Sequence, residues 1–277
     1  MGNGNPFACG CGGCDLYIQS GEGELTGYQK QVSVDKIASA FIMDYNISTV
    51  FVLFRRYIMK KENRADISRL DLSKPMMAFT FDDGPVGTAD TDSSIRIQNA
   101  LAAAGQHATF FYWGHSLHEG TAAEIKRAYD MGFEIGNHTS SHQNLAELSA
   151  EEIEKEVTTQ AEKLSAITGL EKFLIRPPYL SVNETVRNTV HAPLINCSID
   201  SKDWAGATAE EMINTVSTQK KDGAIVMMHE PYEATATAVE VLVPQLVAEG
   251  WQIVSVSELF KAKGLELKDG QVYSYAG

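Results

Sequence analysis

The stretch AFTFDDGP, residues 78–85, begins as an apolar segment and ends with two adjacent aspartates in front of a Gly-Pro pair. A short apolar run bounded by glycine and proline is typical of a buried strand. Neighbouring carboxylates repel each other, and both lose solvation where a strand ends in a pocket. Aspartate before Gly-Pro is also ordinary turn chemistry, so the role of Asp82 and Asp83 depends on the rest of the chain.

Short apolar segments alternate with helical segments from this strand to the C-terminus. Strands are predicted at residues 76–81, 107–113, 133–138, 172–177, 192–199, 224–229 and 251–256. Helices are predicted near residues 93–104, 120–131, 149–168, 208–221 and 235–249. The third helix begins with a capping box formed by Ser149 and Glu152. This alternation predicts an α/β fold with a parallel sheet and right-handed crossovers, either open or closed into a barrel.

Polar residues stand at or just after the C-terminal ends of five of these strands. In a parallel barrel these ends open on one face, where catalytic groups gather. The sequence therefore predicts an active site at this face, built from Asp82, Asp83, His138, Arg176, Asp200, Asp203 and His229.

The segment HTSSH places His138 and His142 four residues apart, one helical turn if the chain coils directly after the strand. Such a pair is often incidental in a polar loop. Two imidazoles and a carboxylate on one face, however, form the ligand set of catalytic zinc with open positions. One of the paired aspartates then binds the metal, and the other stays free as a general base.

Three further residues each have a functional and a structural interpretation. Arg176 either keeps Asp82 ionised or forms an ordinary surface ion pair. His229 ends an apolar strand, so it either serves as a general acid beside Asp203 or is a core histidine bound to a backbone carbonyl. Trp204 either packs in the core or floors a sugar site.

Composition disfavours some classes of partner. The chain has 277 residues, 44% of them hydrophobic, and a net charge of −13. It contains no long block of lysine and arginine, which disfavours nucleic acid and anionic membranes and suits a glycan better. No apolar run reaches the roughly 18 residues that a membrane-spanning helix needs, and no secretory signal pattern is visible at the N-terminus.

The N-terminal region differs from the rest. Residues 1–30 are rich in glycine and are expected to be poorly ordered. Cys9, Cys11 and Cys14 form a thiolate cluster that lacks a fourth ligand, and a mobile tail is the favoured interpretation. Cys197 lies in an apolar segment and is predicted to be a buried small residue.

Five ordered segments, TFDDGP, HTSSH, RPPY, DSKDW and MMH, together resemble the motifs of carbohydrate esterase family 4, the polysaccharide deacetylases. The resemblance covers about residues 74–262. It implies a distorted (β/α)7 TIM-like barrel with an N-terminal extension: residues 1–73 form the extension, without an assigned function, and residues 74–277 form the catalytic domain. Met227 replaces the family's usual leucine, and Glu230 replaces a frequent aspartate.

The resemblance also implies roles for single residues. Asp82 becomes the catalytic base, His229 the general acid, and Asp83, His138 and His142 the metal ligands. Arg176 tunes Asp82, and Asp203 tunes His229. The backbone N–H of Tyr179 helps to bind the oxyanion, while Trp204 and Met227 line the acetyl pocket and Asp200 has only a supporting part.

The expected reaction is metal-dependent removal of acetyl groups from a β-1,4-linked polysaccharide, most simply N-deacetylation of peptidoglycan or a chitin-like polymer. Zinc is the first choice of metal, with cobalt, nickel or manganese as alternatives. The expected partner is an acetylated polysaccharide, with no nucleic acid and no integral membrane segment. The resemblance implies a monomer that acts outside the cell or in the cell envelope.

Three rival functions remain open. An acetylxylan O-esterase has the same fold and site. A non-haem iron oxygenase also uses two histidines and a carboxylate, but it explains neither Asp82, Arg176 nor His229. A glycan-binding barrel without catalysis has no need of the acid, the base and all the metal ligands together.

Overall fold

A computed structural model describes residues 65–277. The expectations for residues 1–30 and for Cys9, Cys11 and Cys14 therefore lie outside the described residues, and the domain boundary after residue 73 stays a prediction. Residues 65–73 contact the rest of the described chain. Arg69 forms a salt bridge of 2.8 Å with Glu258, and the Asp71 N–H donates to the Gln252 side chain.

The strands form a parallel sheet, as predicted. The strand bounds are β1 Met76–Asp82, β2 Thr109–Tyr112, β3 Glu134–Asn137, β4 Leu194–Ile195, β5 Ile199–Asp200, β6 Ile225–His229, β7 Gln252–Val254 and β8 Val272–Tyr273. In the larger sheet the order is β3-β2-β1-β6-β5, and β7 pairs with the first half of β1. Ile175 bridges the end of β3 to β4, which pairs with β8. In residues 65–277 no ladder joins β4 to β5.

Helices follow most of the strands and cover the sheet. The third of them has the predicted capping box, in which Ser149 and Glu152 cap each other's backbone N–H. Among residues 65–277, no helix combines the length and the apolarity required to cross a membrane. The helix bounds are α1 Ser93–Ala103, α2 Glu119–Asp130, α3 Ala150–Thr168, α4 Glu184–Thr189, α5 Ala209–Gln219, α6 Glu233–Ala248 and α7 Val256–Ala262.

Two predicted strands are wrong in extent. The segment 172–177 is reduced to a single bridging residue, Ile175, because prolines 177 and 178 follow and lack an N–H for a ladder. The segment 192–199 divides into β4 and β5, because the Asn196 side chain accepts the next backbone N–H and interrupts the pairing. The short elements α4, α7 and β8 were not predicted.

The alternation of side chains along β1 determines on which face of the sheet the candidate site lies. Met77 and Phe79 face the core between sheet and helices, whereas Met76 and Ala78 face a second core on the inner side of the sheet. A period of two puts Asp82 on that same inner face. In the register of the neighbouring strand β6, Asp82 pairs with His229. The sheet thus brings these two residues side by side.

Candidate active site

Asp83, His138 and His142 converge at the C-terminal ends of β1 and β3. The Oδ1 atom of Asp83 lies 3.4 Å from Nε2 of His138 and 3.5 Å from Nε2 of His142. The three donor atoms all lie within 4.8 Å of one another. The predicted set of metal ligands is therefore assembled on one side of the site.

The spacing of the two histidines indicated that they follow one another around a helical turn. The structure does not show this arrangement. Thr139 and His142 adopt left-handed backbone conformations, with φ of 68° and 59°, and the His142 N–H donates to the Thr139 hydroxyl. Asp83 has a φ of 67°. Left-handed conformations of such residues cost free energy and cluster at functional sites, which accords with a ligand function for this turn.

The donor chemistry fits a divalent cation. The Oδ1 atom of Asp83 is buried and accepts no hydrogen bond within the described part of the chain. His138 Nδ1 lies 2.6 Å from the carbonyl oxygen of Arg176 and donates to it, so the lone pair of Nε2 faces Asp83. Burial lowers the pKa of His138 to about 3, which keeps the imidazole neutral, as a metal ligand must be.

Asp82 binds the guanidinium of Arg176. The guanidinium Nη1 donates to Asp82 Oδ1 at 2.9 Å and to the Thr80 hydroxyl at 2.7 Å, and Nε donates to the Ile195 carbonyl. Arg176 is fully buried, so the interpretation as a surface ion pair is wrong. Burial raises the pKa of Asp82, and the charges of Arg176 and His229 offset only part of this rise.

Asp203 holds His229 at two points. Its Oδ1 accepts from His229 Nδ1 at 2.8 Å, and its Oδ2 accepts from the His229 backbone N–H and the Thr235 hydroxyl. Burial lowers the pKa of His229, but the hydrogen bond to Asp203 and the nearby carboxylates outweigh it and raise this pKa to about 9. The imidazole is bound by a carboxylate and not by a backbone carbonyl, so the alternative of a core histidine is wrong.

Aromatic and apolar residues surround these groups. Trp204 is 53% exposed, which contradicts a place in the core, and its Nε1–H donates to Asp200. Tyr179 is also exposed, with its ring 5.0 Å from that of His142 and a φ of 58°. Met227 is nearly buried on the inner face of β6. The binding functions of these three residues stay predictions.

Sequence reasoning missed three contributions. Thr80 and Thr235 bind the side chains of Arg176 and Asp203, and the backbone carbonyl of Arg176 orients His138. Thr80 was detectable, because it lies two residues before Asp82 and thus on the same face of the strand. No sequence signal pointed to the other two.

Comparison with known proteins identifies relatives of this chain. The polysaccharide deacetylase family profile matches residues 69–193. The bifunctional xylanase/deacetylase of Pseudobutyrivibrio xylanivorans is 31% identical over 70% of this chain and 32% of its own length. A peptidoglycan-N-acetylglucosamine deacetylase of Bacillus cereus is 30% identical over 69% of this chain and 91% of its own length.

A solved structure shares the fold. The family 4 acetyl xylan esterase from Clostridium thermocellum, in complex with a cobalt ion, superposes with a TM-score of 0.67 at 30% identity and covers 72% of this chain and 98% of its own. The chain spans between about a third and about a half of the length of several curated relatives that it matches. The α/β fold, the order of motifs and these similarities lead to one conclusion: the chain belongs to carbohydrate esterase family 4, the polysaccharide deacetylases.

Proposed function

We propose that this protein hydrolyses acetyl groups from a polysaccharide with the help of one divalent metal ion. One observation carries the proposal: the adjacent aspartates have separate partners. Asp82 binds the buried Arg176, while Asp83 faces two imidazole nitrogens. This division accords with a general base beside a metal ligand, and residues 74–277 form the catalytic domain in this proposal.

The metal site consists of Asp83, His138 and His142, with zinc as the first choice and cobalt, nickel or manganese as alternatives. A bound ion would supply a Lewis acid, which could polarise the acetyl carbonyl and lower the pKa of water. The similarity to the cobalt-containing esterase supports a site of this kind. The carbonyl of Arg176 keeps the His138 ring in the ligating tautomer.

Asp82 accepts the proton of the attacking water. Its raised pKa makes it a better base at neutral pH than an exposed aspartate, while Arg176 keeps it oriented. His229 stands beside it on β6 and is protonated at neutral pH, so it gives its proton to the departing nitrogen or oxygen. Asp203 stabilises the imidazolium and fixes the ring through Nδ1.

The remaining predicted residues bind the substrate. The Tyr179 backbone N–H donates to the oxyanion of the tetrahedral intermediate. Met227 and Trp204 form the apolar wall for the acetyl methyl group. The exposed indole of Trp204 also offers its face to a sugar ring.

The proposed substrate is a polymer of β-1,4-linked N-acetylglucosamine, such as peptidoglycan or a chitin-like glycan. The Bacillus cereus relative, a peptidoglycan deacetylase, supports this choice, and it also supports action outside the cell or in the envelope. The second candidate is O-deacetylation of xylan, which the similarity to an acetyl xylan esterase favours. Both reactions use the same base and acid. The proposed active form is a monomer.

Acetate release tests this proposal. The full chain is incubated with chitooligosaccharides, peptidoglycan and acetylated xylan, with and without a chelator. We expect metal-dependent acetate release, one bound ion per chain, and loss of both in Asp83→Ala and His142→Ala. Release from xylan alone would select the esterase. A protein that releases no acetate, or whose variants bind metal as tightly as the wild type, would contradict the proposal.

A further inference from the structure

The strand β2 continues into a short segment, residues 113–116, which lies between the two turns that carry the metal ligands. The Trp113 N–H donates to the Gly84 carbonyl, and the Ser116 hydroxyl donates to the carbonyl of Asp83. On the other side, the Gly114 N–H donates to the carbonyl of Thr139 at 3.0 Å. This segment therefore connects the turn after β1 to the turn that holds both histidines.

The packing between this segment and the histidine turn leaves no free space. A Cβ atom on Gly114 would lie 2.5 Å from the carbonyl oxygen of Ser140, so only glycine allows this approach. Backbone contacts of this kind fix the distance between two chain segments. A side chain carried by the same segment is consequently held in a defined position relative to the ligands.

Trp113 is that side chain. Its indole ring packs edge-on against the imidazole of His142, with ring centroids 5.3 Å apart and planes at 79°. The Nε1 atom of Trp113 is buried and finds no acceptor among residues 65–277. A buried N–H without a hydrogen-bond partner is unfavourable. The position of the indole ring is therefore explained by its packing contacts and not by a hydrogen bond.

His142 depends on such contacts more than His138 does. His138 is buried and oriented by a backbone carbonyl, whereas the structure gives the His142 ring packing contacts with neighbouring rings. Of these neighbours, Tyr179 is 69% exposed. Trp113 is the partner anchored by its own backbone to the turn of Asp83. It thus connects two ligands of the same site.

We infer that Trp113 is a positioning residue for the metal site, which sets the orientation of His142 relative to Asp83. This inference rests on the proposed metal site and extends it to a residue that lies outside the five motifs. Groups that orient metal ligands typically contribute a factor of about 10 to 100 to metal affinity. A residue needed only for packing would change thermal stability and leave the affinity of the folded protein unchanged.

The test compares Trp113→Ala and Trp113→Phe with Trp251→Phe in the full chain. Trp251 is partly buried just before β7, whose pairing with the first residues of β1 puts it at the other end of the sheet. Zinc affinity is measured by competition with a chromophoric chelator, and the visible absorption of bound Co²⁺ reports the geometry of the ligands. Circular dichroism verifies that each variant is folded.

We expect Trp113→Ala to weaken zinc binding by roughly 10- to 100-fold and to change the cobalt spectrum. Trp113→Phe should show a smaller change in the same direction, and it decides the matter if the alanine variant does not fold. Trp251→Phe should bind like the wild type. Wild-type affinity and spectrum in a folded Trp113→Phe or Trp113→Ala protein would overturn the inference. A wild type without metal binding would instead refute the proposed function.

Discussion

Replacement of Asp82 by asparagine distinguishes most sharply between the functions proposed for Asp82 and Asp83. The amide is nearly isosteric with the carboxylate, but it carries no charge and is a very weak base. We expect one metal ion per chain to remain bound, because Asp82 pairs with Arg176, whereas the converging donor atoms belong to Asp83, His138 and His142. Turnover should fall by roughly 10² to 10⁴, the usual contribution of a positioned general base.

The Asp82→Asn substitution should also destabilise the folded protein. Arg176 is fully buried, and Asp82 is the acidic partner of its guanidinium in the described salt bridges. Loss of one partner of a buried ion pair costs about 3–5 kcal/mol. The guanidinium still donates hydrogen bonds to the hydroxyl of Thr80 and to the carbonyls of Ile195 and Asn196. We therefore expect a loss of stability at the lower end of this range. About 3 kcal/mol corresponds to a fall in melting temperature of roughly 6–12 °C.

The double variant Asp82→Asn with Arg176→Met serves as the control. It removes the unpaired charge, so its melting temperature should rise above that of the single variant, while turnover stays low. The assay combines acetate release below the melting transition, metal analysis and thermal denaturation. Metal loss equal to that of Asp83→Ala would show that both aspartates are ligands and that the base lies elsewhere. Near-normal turnover in Asp82→Asn would return Asp82 to the role of a turn residue.

Two further predictions concern pH. Asp203→Asn removes the carboxylate that helps to raise the pKa of His229 to about 9, so the alkaline limb of the kcat profile should move to lower pH; an unchanged limb would exclude His229 as the acid. Burial raises the pKa of Glu124 to about 7, from an ordinary 4.5. The folded state therefore binds this proton more tightly than the unfolded state, so ionisation of Glu124 lowers its contribution to stability as the pH rises from about 4.5 to about 7. Glu124→Gln should flatten this fall in melting temperature, and curves that stay parallel to the wild type would contradict it.

The order of strands and helices was readable from the sequence, because each regular element leaves its own period in the pattern of apolar residues. The same periodicity placed Asp82 at the end of a buried strand, and the parallel fold predicted that His138 and His229 would open on the same face. The predicted elements failed where local chemistry interrupts pairing, as at Pro177 and Asn196.

Only the tertiary structure decided which partners these residues have. Asp82 and Arg176 are 94 residues apart in the chain, and their pairing follows from the position of Asp82 on the inner face of the sheet and from the burial of the guanidinium. The backbone carbonyl of Arg176 accepts a hydrogen bond from His138, and the ring of Trp113 packs against the ring of His142. Such contacts depend on how distant segments meet in space, and no residue type or spacing along the chain encodes them.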